Sequence, residues 1–397
     1  MKVLIIHNSY RQPGGEDILV EQERALLQHS GHEVIEYRRS NHETNILGLW
    51  GKFTLPKRVV WAGNTIRDLR ALIHQEKPDV VHFHNTFLLI SPSAYYACWE
   101  SGVPVVQTLH NYRLICPTAT FYRDGHACED CLGRTPPWPG IVHACYRGSR
   151  AQTAVVSVML TLHRWFKTWQ KQVDLYIALT EFALKKFVEG GLPVEKIVVK
   201  PNFVYPDPGM REGDGHYALF VGRLSPEKGL QTLLKAWQYL QGIPLKIVGD
   251  GPLRDEIQTF VETQKLEGLE VLGRHGHDGV LELMKGARYL VFPSECYENF
   301  PVATAEAFAC GVPVITSRLG AMAEIVEDGR TGLHFEPGNS EDLAAKVEWA
   351  WTHPEAMSEM GREARREYEE KYTAEKNYKM LLDIYERALS YHKRSSL

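Results

Sequence analysis

YLVFPSECYENFPVATAEAFACGVPVITS, residues 289–317, decides the fold class of this chain. Two short apolar runs, 289–294 and 312–317, stand on either side of a segment with helical punctuation. Pro301 suits the first turn of a helix, and Gly311 is placed to end one before the chain resumes as a strand. Strands joined through a helix run parallel, and strands apolar along their whole length belong to a sheet covered on both faces. From Pro301 to Cys310 every side chain is apolar except Thr304 and Glu306, and Glu298 stands eight positions before Glu306. Two acids at the start of an otherwise buried helix are the first candidates for function.

The same rhythm extends in both directions. KVLIIHNS, HEVIEYRR, DVVHFHN, VPVVQTLHN, DLYIALT and KIVVKPNFV read as strands in the first half, with helices at 16–29, 64–75 and 92–100. YALFVGRL, LKIVGDG, LEVLG, YLVFPS, VPVITS and GLHFEP repeat the pattern in the second half. PNFVYPDPGMREGDGH interrupts both periodicities as a linker would. The reading is α/β: a Rossmann-like domain over 1–203, a linker over 204–211, a second Rossmann-like domain over 212–373, and a helix over 374–397 returning to the first domain. In doubly wound sheets ligands bind beyond the carboxyl ends of the strands, so the two domains are expected to face each other across a cleft.

The 397 residues are 44% hydrophobic and 24% charged with a net charge of −4, which suits a globular chain with a real core and gives no basic field for nucleic acid. No stretch has the length of a spanning helix, and the first residues lack the pattern of a signal peptide. Seven cysteines fit a reducing compartment better than a disulfide framework. The expectation is a cytoplasmic protein.

Glu298 precedes, and Glu306 lies within, a helix whose first turn exposes unpaired amides and partial positive charge, a ready anion site. The acids would accept hydrogen bonds from hydroxyls, and phosphate with polyols is the composition of a nucleotide sugar. VGRLSPEKGL places Arg223 at a strand end and Lys228 at the start of the next helix, where two cations suit a diphosphate. IVGDGPL adds a strand-to-helix turn whose Gly249 and Gly251 permit close backbone approach. Each feature alone also fits a solvated surface charge or an ordinary turn; their joint occurrence in one domain favours a site.

GRLSPEKG, VGDGPL and YENFPVATAEAFACGVPVI, in that order, resemble the glycosyltransferase family 4 enzymes of GT-B fold, and PGGEDILVEQERALLQHSGHEV resembles the opening of the same family. The resemblance implies that Glu306 holds the donor ribose, that Glu298 contacts the sugar, and that the Asn299 and Phe300 amides meet sugar and phosphate. It implies that Arg223 and Lys228 bind the diphosphate, that Gly14 and Gly15 approach it from the other domain, and that His110 stands beside the transferred sugar. Gly273 and Arg274 line the base pocket on this reading. Where the family has glycines around the phenylalanine, this chain has Asn299 and Pro301, and Pro301 lacks an N–H. The implied reaction is retaining transfer of a sugar to a saccharide or lipid-linked acceptor in bacterial surface polysaccharide synthesis, with no cofactor or metal in the chemistry. The donor base (uridine, guanosine or adenosine) stays open. A nucleotide-sugar epimerase and a non-catalytic nucleotide-sugar-binding subunit are the alternatives; an NAD enzyme is disfavoured because the G-x-G-x-x-G spacing is missing.

Two segments go beyond the family pattern. Cys116, Cys128, Cys131 and Cys145 lie in an insertion over about 112–150, and the Cys128-x-x-Cys131 spacing predicts a structural zinc, with His126 or His143 able to replace one thiolate and packed thiols as the competing reading. RAQTAVVSVMLTLHRWFKTWQK carries a polar stripe (Ser157, Thr161, Arg164, Thr168, Lys171) at helical spacing. It reads either as a buried helix of the first domain or as an interfacial helix making peripheral contact with the inner face of a membrane.

Overall fold

The computed structural model describes residues 1–11, 14–45 and 49–395, the side chains of 49–53 and 394–395 excepted. The chain divides into two compact units. The first comprises 1–119, 129–201 and 375–397; the second comprises 120–128 and 202–374.

In the first unit β1 (Lys2–Ser9), β2 (Glu33–Ser40), β3 (Val80–Asn85) and β4 (Val105–Thr108) precede a two-stranded hairpin, β5 (Tyr122–Arg123) and β6 (His126–Ala127), which belongs to the second unit. β7 (Leu175–Ala178) and β8 (Ile197–Val199) complete a parallel sheet of order β2-β1-β3-β4-β7-β8. β1, β3, β4 and β7 are buried along almost their whole length, so their side chains cannot alternate between core and water. Val3 pairs with Val34 on one side and Val80 on the other, and the register slips between Ile6 and His7 where β1 meets β3. Val3, Ile5, Val80, Val106 and Ile177 share one core with Leu381, Ile384 and Tyr385 of the C-terminal helix Ala374–Ser395. Burial of each such side chain contributes about 1.5–3 kcal/mol, which fastens that helix to the first unit.

The second unit holds β9 (Tyr217–Val221), β10 (Leu245–Val248), β11 (Leu269–Gly273), β12 (Ala287–Phe292), β13 (Val314–Ser317) and β14 (Gly332–Phe335), all parallel, in the order β11-β10-β9-β12-β13-β14. Leu290 to Phe292 of β12 pair with Val314 to Thr316 of β13, the two strands joined through the helix Val302–Ala309. The stretch expected as a linker is bound to this unit: Asp207 pairs with Arg365 at 2.7 Å, and Val204 bridges to Thr373.

Each sheet has a point where the strand order reverses, between β1 and β3 in the first unit and between β9 and β12 in the second. Chain leaving the carboxyl ends of those strands diverges to opposite faces and leaves a crevice for a ligand. The chemistry of both units gathers at these two places.

Candidate active site

At the reversal point of the second unit, β9 runs out at Val221 into Gly222 and Arg223, and β12 runs out at Phe292 into the loop carrying Ser294 and Glu298. Two backbone approaches hold the loops together. Gly229 has φ 68°, and a Cβ there would stand 1.8 Å from the Pro293 carbonyl oxygen. The Glu295 N–H donates to the Glu227 carbonyl at 3.0 Å. This clamp brings Lys228 to Glu298: Nζ donates to Oε1 at 2.6 Å, and Ser294 Oγ donates a short bond to the same oxygen. Burial opposes the Lys228 charge, but Glu298, with Cys296 and Glu227, outweighs it and holds the ammonium pKa above its ordinary value. Lys228 therefore stays a cation at neutral pH.

Glu306 is 4% exposed within the apolar helix Val302–Ala309 and lies 3.2 Å from His277 Nδ1. The bond to Glu306 raises the His277 pKa, so ion pairing persists above the ordinary imidazole range. His277 opens the helix His277–Gly286, three residues after Arg274. Arg223 and Arg274 are exposed, and Asn299 is buried. The Phe300 ring packs edge-on against Tyr372 at 5.2 Å, and its carbonyl accepts from Asn202 Nδ2 at 2.9 Å, so this residue offers backbone rather than ring to a ligand. Gly249, at φ 148°, would drive a Cβ to 1.8 Å from the Gly222 carbonyl oxygen, and its N–H donates to the Gly273 carbonyl at 2.8 Å. Its glycine is required by the packing of one turn on another.

The first unit gathers histidines. His110 follows β4, and its Nε2 is 2.9 Å from Nδ1 of His84 near the end of β3. His82 and His84 alternate on β3 and so share a face. Glu23, from the helix Gly15–His29, stands 3.0 Å from His82 Nδ1 and 3.3 Å from His84 Nε2. Burial, reinforced by His82, drops His84 to about 3, and burial, with His84 and His7 beside it, holds His110 well below its ordinary value; both rings are neutral. Burial opposes ionisation of Glu23, yet His82 and Lys200 overcome it and keep the carboxylate charged. With the His84 proton on Nε2, which faces Glu23 at 3.3 Å, Nδ1 would accept from Nε2–H of His110, and His110 Nδ1 would be left as an acceptor.

At the glycine loop the Gly14 N–H donates to Asp17 Oδ2 at 3.0 Å, closing the helix end, while Asp17 Oδ1 meets His7 Nε2 at 2.9 Å. Asn111 Nδ2 donates to Tyr10 Oη at 3.1 Å and to Glu16 Oε2 at 3.3 Å. Burial, with Asp17 beside it, pushes the Glu16 carboxyl up to about 8.

Among the described residues, Glu23, His82 and His84 form a grouping whose donor atoms all lie within 4.8 Å, the spacing a metal ion requires. Lys200 Nζ, 3.4 Å from Glu23 Oε2, already supplies a positive charge there, and the set suits a hydrogen-bonded relay. Of the four cysteines expected around zinc, Cys116, Cys131 and Cys145 belong to the first unit and Cys128 to the second. Cys116 and Cys131 are buried, with Cys116 Sγ 3.1 Å from Thr118 Oγ1.

Sequence reasoning singled out Glu298, Lys228, Glu306 and His110 but missed their partners Ser294, His277, His84 and Glu23, together with Glu16. The alternation in VVHFHN was a legible signal for a histidine-bearing strand face; nothing local marked His277 as the neighbour of Glu306.

A family model described as glycosyl transferases group 1 matches residues 207–367, and a model described as glycosyltransferase family 4 matches residues 14–207. An uncharacterized glycosyltransferase of Methanocaldococcus jannaschii is 33% identical over 222 residues, 56% of this chain and 62% of that protein. The lipopolysaccharide 1,2-N-acetylglucosaminetransferase of Salmonella typhimurium is 27% identical over 223 residues, 50% of this chain and 58% of that protein. The chain thus spans less than two thirds of the length of these curated relatives. The structure of HepE from Anabaena in complex with UDP superposes over 100% of both chains with a TM-score of 0.69 at 16% identity, a likeness of fold.

Proposed function

Because the chain belongs to glycosyltransferase family 4, the group 1 glycosyltransferases, with the GT-B fold, we propose that it moves a sugar from a nucleoside-diphosphate sugar to a saccharide or lipid-linked acceptor with retention of anomeric configuration. The observation that carries the reading is the Lys228–Glu298 pair at 2.6 Å, seated where the strand order of the second unit reverses. Breaking a sugar–diphosphate bond builds negative charge on the leaving phosphate. A preorganised ammonium held charged by Glu298 would stabilise that charge, usually the largest electrostatic contribution to such a step. Arg223 would add a second cation, and the amides at the start of the helix Val302–Ala309 a third source of positive potential. No step in this scheme calls for a metal ion.

Glu306 would accept from the ribose hydroxyls, its charge supported by His277. In the first unit His110 would accept from a hydroxyl through Nδ1, with His84 and Glu23 setting its tautomer. Asn111 and Glu16 would hold the acceptor's polar groups. A uridine diphosphate sugar is the first donor to try, since HepE is solved with UDP and with UDP-glucose. The lipopolysaccharide relative supports a role in surface polysaccharide synthesis, work that would be done in the cytoplasm. The cysteines of the insertion would hold a structural zinc that orders the loop following His110.

Incubation with a panel of UDP-, GDP- and ADP-sugars, with and without acceptor saccharides, tests the proposal. Acceptor-dependent release of nucleoside diphosphate is expected, undiminished by chelator, with a product whose anomeric proton coupling matches the donor's. An inverted product refutes retention. Conversion of the donor sugar without transfer makes the protein an epimerase, and binding without turnover makes it a nucleotide-sugar-binding subunit.

A further inference from the structure

The helix Arg150–Trp165 in the first unit carries apolar side chains on its buried face and on its exposed face. Three of its polar side chains turn inward beside Val156, Met159 and Leu160: Thr153 Oγ1 donates to the Ser149 carbonyl at 2.7 Å, Ser157 is 1% exposed, and buried His163 bonds Thr168 Oγ1 and the Val60 carbonyl, both at 2.9 Å. The outward stripe is Ala151, Val155, Val158, Leu162 and Trp165, positions spaced so that they share one helix face. Val158 is 49% exposed and Trp165 76%. Phe166 stacks on Trp165 at 6.0 Å and is itself 48% exposed. The short helix Trp138–Val142 is tied alongside by the bond from Arg150 Nε to the Val142 carbonyl at 3.2 Å, and both of its terminal residues are about half exposed. Val156, Met159 and Leu160 of the same helix are buried, so the helix is apolar on two faces, and the second, with Val158 and Trp165, is open to solvent among the described residues.

Charge selects the partner. Residues 131–173 contain six Lys or Arg and no Asp or Glu, in a chain whose net charge is −4. Arg134, Arg147, Arg150, Lys167 and Lys171 are exposed, and Arg134 lies over the Trp138 ring at 5.7 Å. Among the described residues no helix is long and apolar enough to cross a membrane. Apolar side chains with tryptophans, rimmed by cations, form the composition of a surface that lies in a bilayer interface. A second copy of the chain would bring the same positive field against itself.

We infer that the face built by 138–142 and 150–171 docks on an anionic lipid surface, with Val158, Trp165 and Phe166 entering the acyl boundary and the arginines and lysines meeting the headgroups. The inference goes beyond the donor chemistry proposed above and stands on different residues. Of the polar stripe of this segment, Ser157 and Thr168 are buried and Lys171 is exposed.

The full chain is to be cosedimented with vesicles of phosphatidylcholine alone and with vesicles carrying phosphatidylglycerol, at low and high salt. Binding at least tenfold tighter to the anionic vesicles, and weakened by salt, is expected. Each cation near such a surface contributes roughly fivefold, so Arg150→Glu with Lys171→Glu should lower partitioning by roughly 25-fold or more. Val158→Ser with Trp165→Ser should lower it at least tenfold at either salt concentration. Far-UV circular dichroism and nucleoside diphosphate release on a soluble acceptor provide the check on folding, since none of these residues belongs to the site. Loss of vesicle binding with turnover intact supports the docking face whatever the donor proves to be. Equal binding to neutral and anionic vesicles, or none to either, overturns it. A dimer in sedimentation that the Val158→Ser, Trp165→Ser variant dissolves would overturn it in favour of an interface between copies.

Discussion

Replacing Glu16 with Gln removes a carboxyl that burial and the adjacent Asp17 raise from 4.5 to about 8, while keeping an oxygen that can accept from Asn111. Below about pH 4.5 the group is protonated in both the folded and unfolded chain and contributes no pH dependence. Between the two values the folded chain binds a proton that the unfolded chain has released, so stability falls as pH rises through that window. A gap of roughly 3.5 pH units at ~1.4 kcal/mol each sets a ceiling near 5 kcal/mol. The variant and the parent should be equally stable at about pH 4 and diverge above it, the variant leading by about 2–5 kcal/mol at about pH 8. Because two units can unfold separately, the assay is hydrogen exchange of the helix Gly15–His29 in both proteins across that range. A difference that stays constant with pH, or a variant less stable at pH 8, would refute the placement of Glu16 as a buried acid.

Glu306→Gln should weaken nucleoside diphosphate binding roughly ten- to a hundredfold, the worth of a charged hydrogen bond of about 1.5–3 kcal/mol. The same change should lower the His277 pKa by proton NMR titration; the stability that pairing adds is present below about 6.5 and lost as pH rises through the raised value, so both effects failing to appear would break the pairing. Lys228→Ala and Arg223→Ala should each depress kcat, and the double variant should lose far less than the product of the two if both cations act on one diphosphate; near-normal turnover in the Lys228 variant would place the phosphate elsewhere. Gly249→Ala, with its Cβ 1.8 Å from a carbonyl oxygen at φ 148°, should cost about 3 kcal/mol or more by denaturant unfolding, whereas Gly63→Ala meets no atom within 4 Å and should change stability by less than about 0.5 kcal/mol. Elemental analysis of protein purified without added metal should find one zinc per chain, and its absence would end that reading of the cysteines.

Much of the architecture was legible because it is written in local patterns. The twelve strands of the two parallel sheets follow from apolar runs bounded by turn residues, and the helix Val302–Ala309 from Pro301 and Gly311 at its ends. The hairpin Tyr122–Arg123 with His126–Ala127 escaped, since strands of two residues carry no period to read. Glu298, Glu306, Arg223 and Lys228 stood out as charges at strand ends and helix starts. What touches them did not. Lys228 and Glu298 are 70 positions apart, and only the close approach of Gly229 to the Pro293 carbonyl brings them to one bond. Glu306 meets His277, and His110 meets His84, through strand order and register that no single segment encodes. The helix Arg150–Trp165 shows the same division. Its periodicity fixed which residues share a face, but which face turns inward was decided by packing, with Val156, Met159 and Leu160 buried and His163 bonded to the Val60 carbonyl once neighbouring segments closed over them. Periodicity is a property of a segment and can be read along it; the pairing of distant side chains is a property of the packed chain, set by which surfaces the sheet brings within hydrogen-bonding reach.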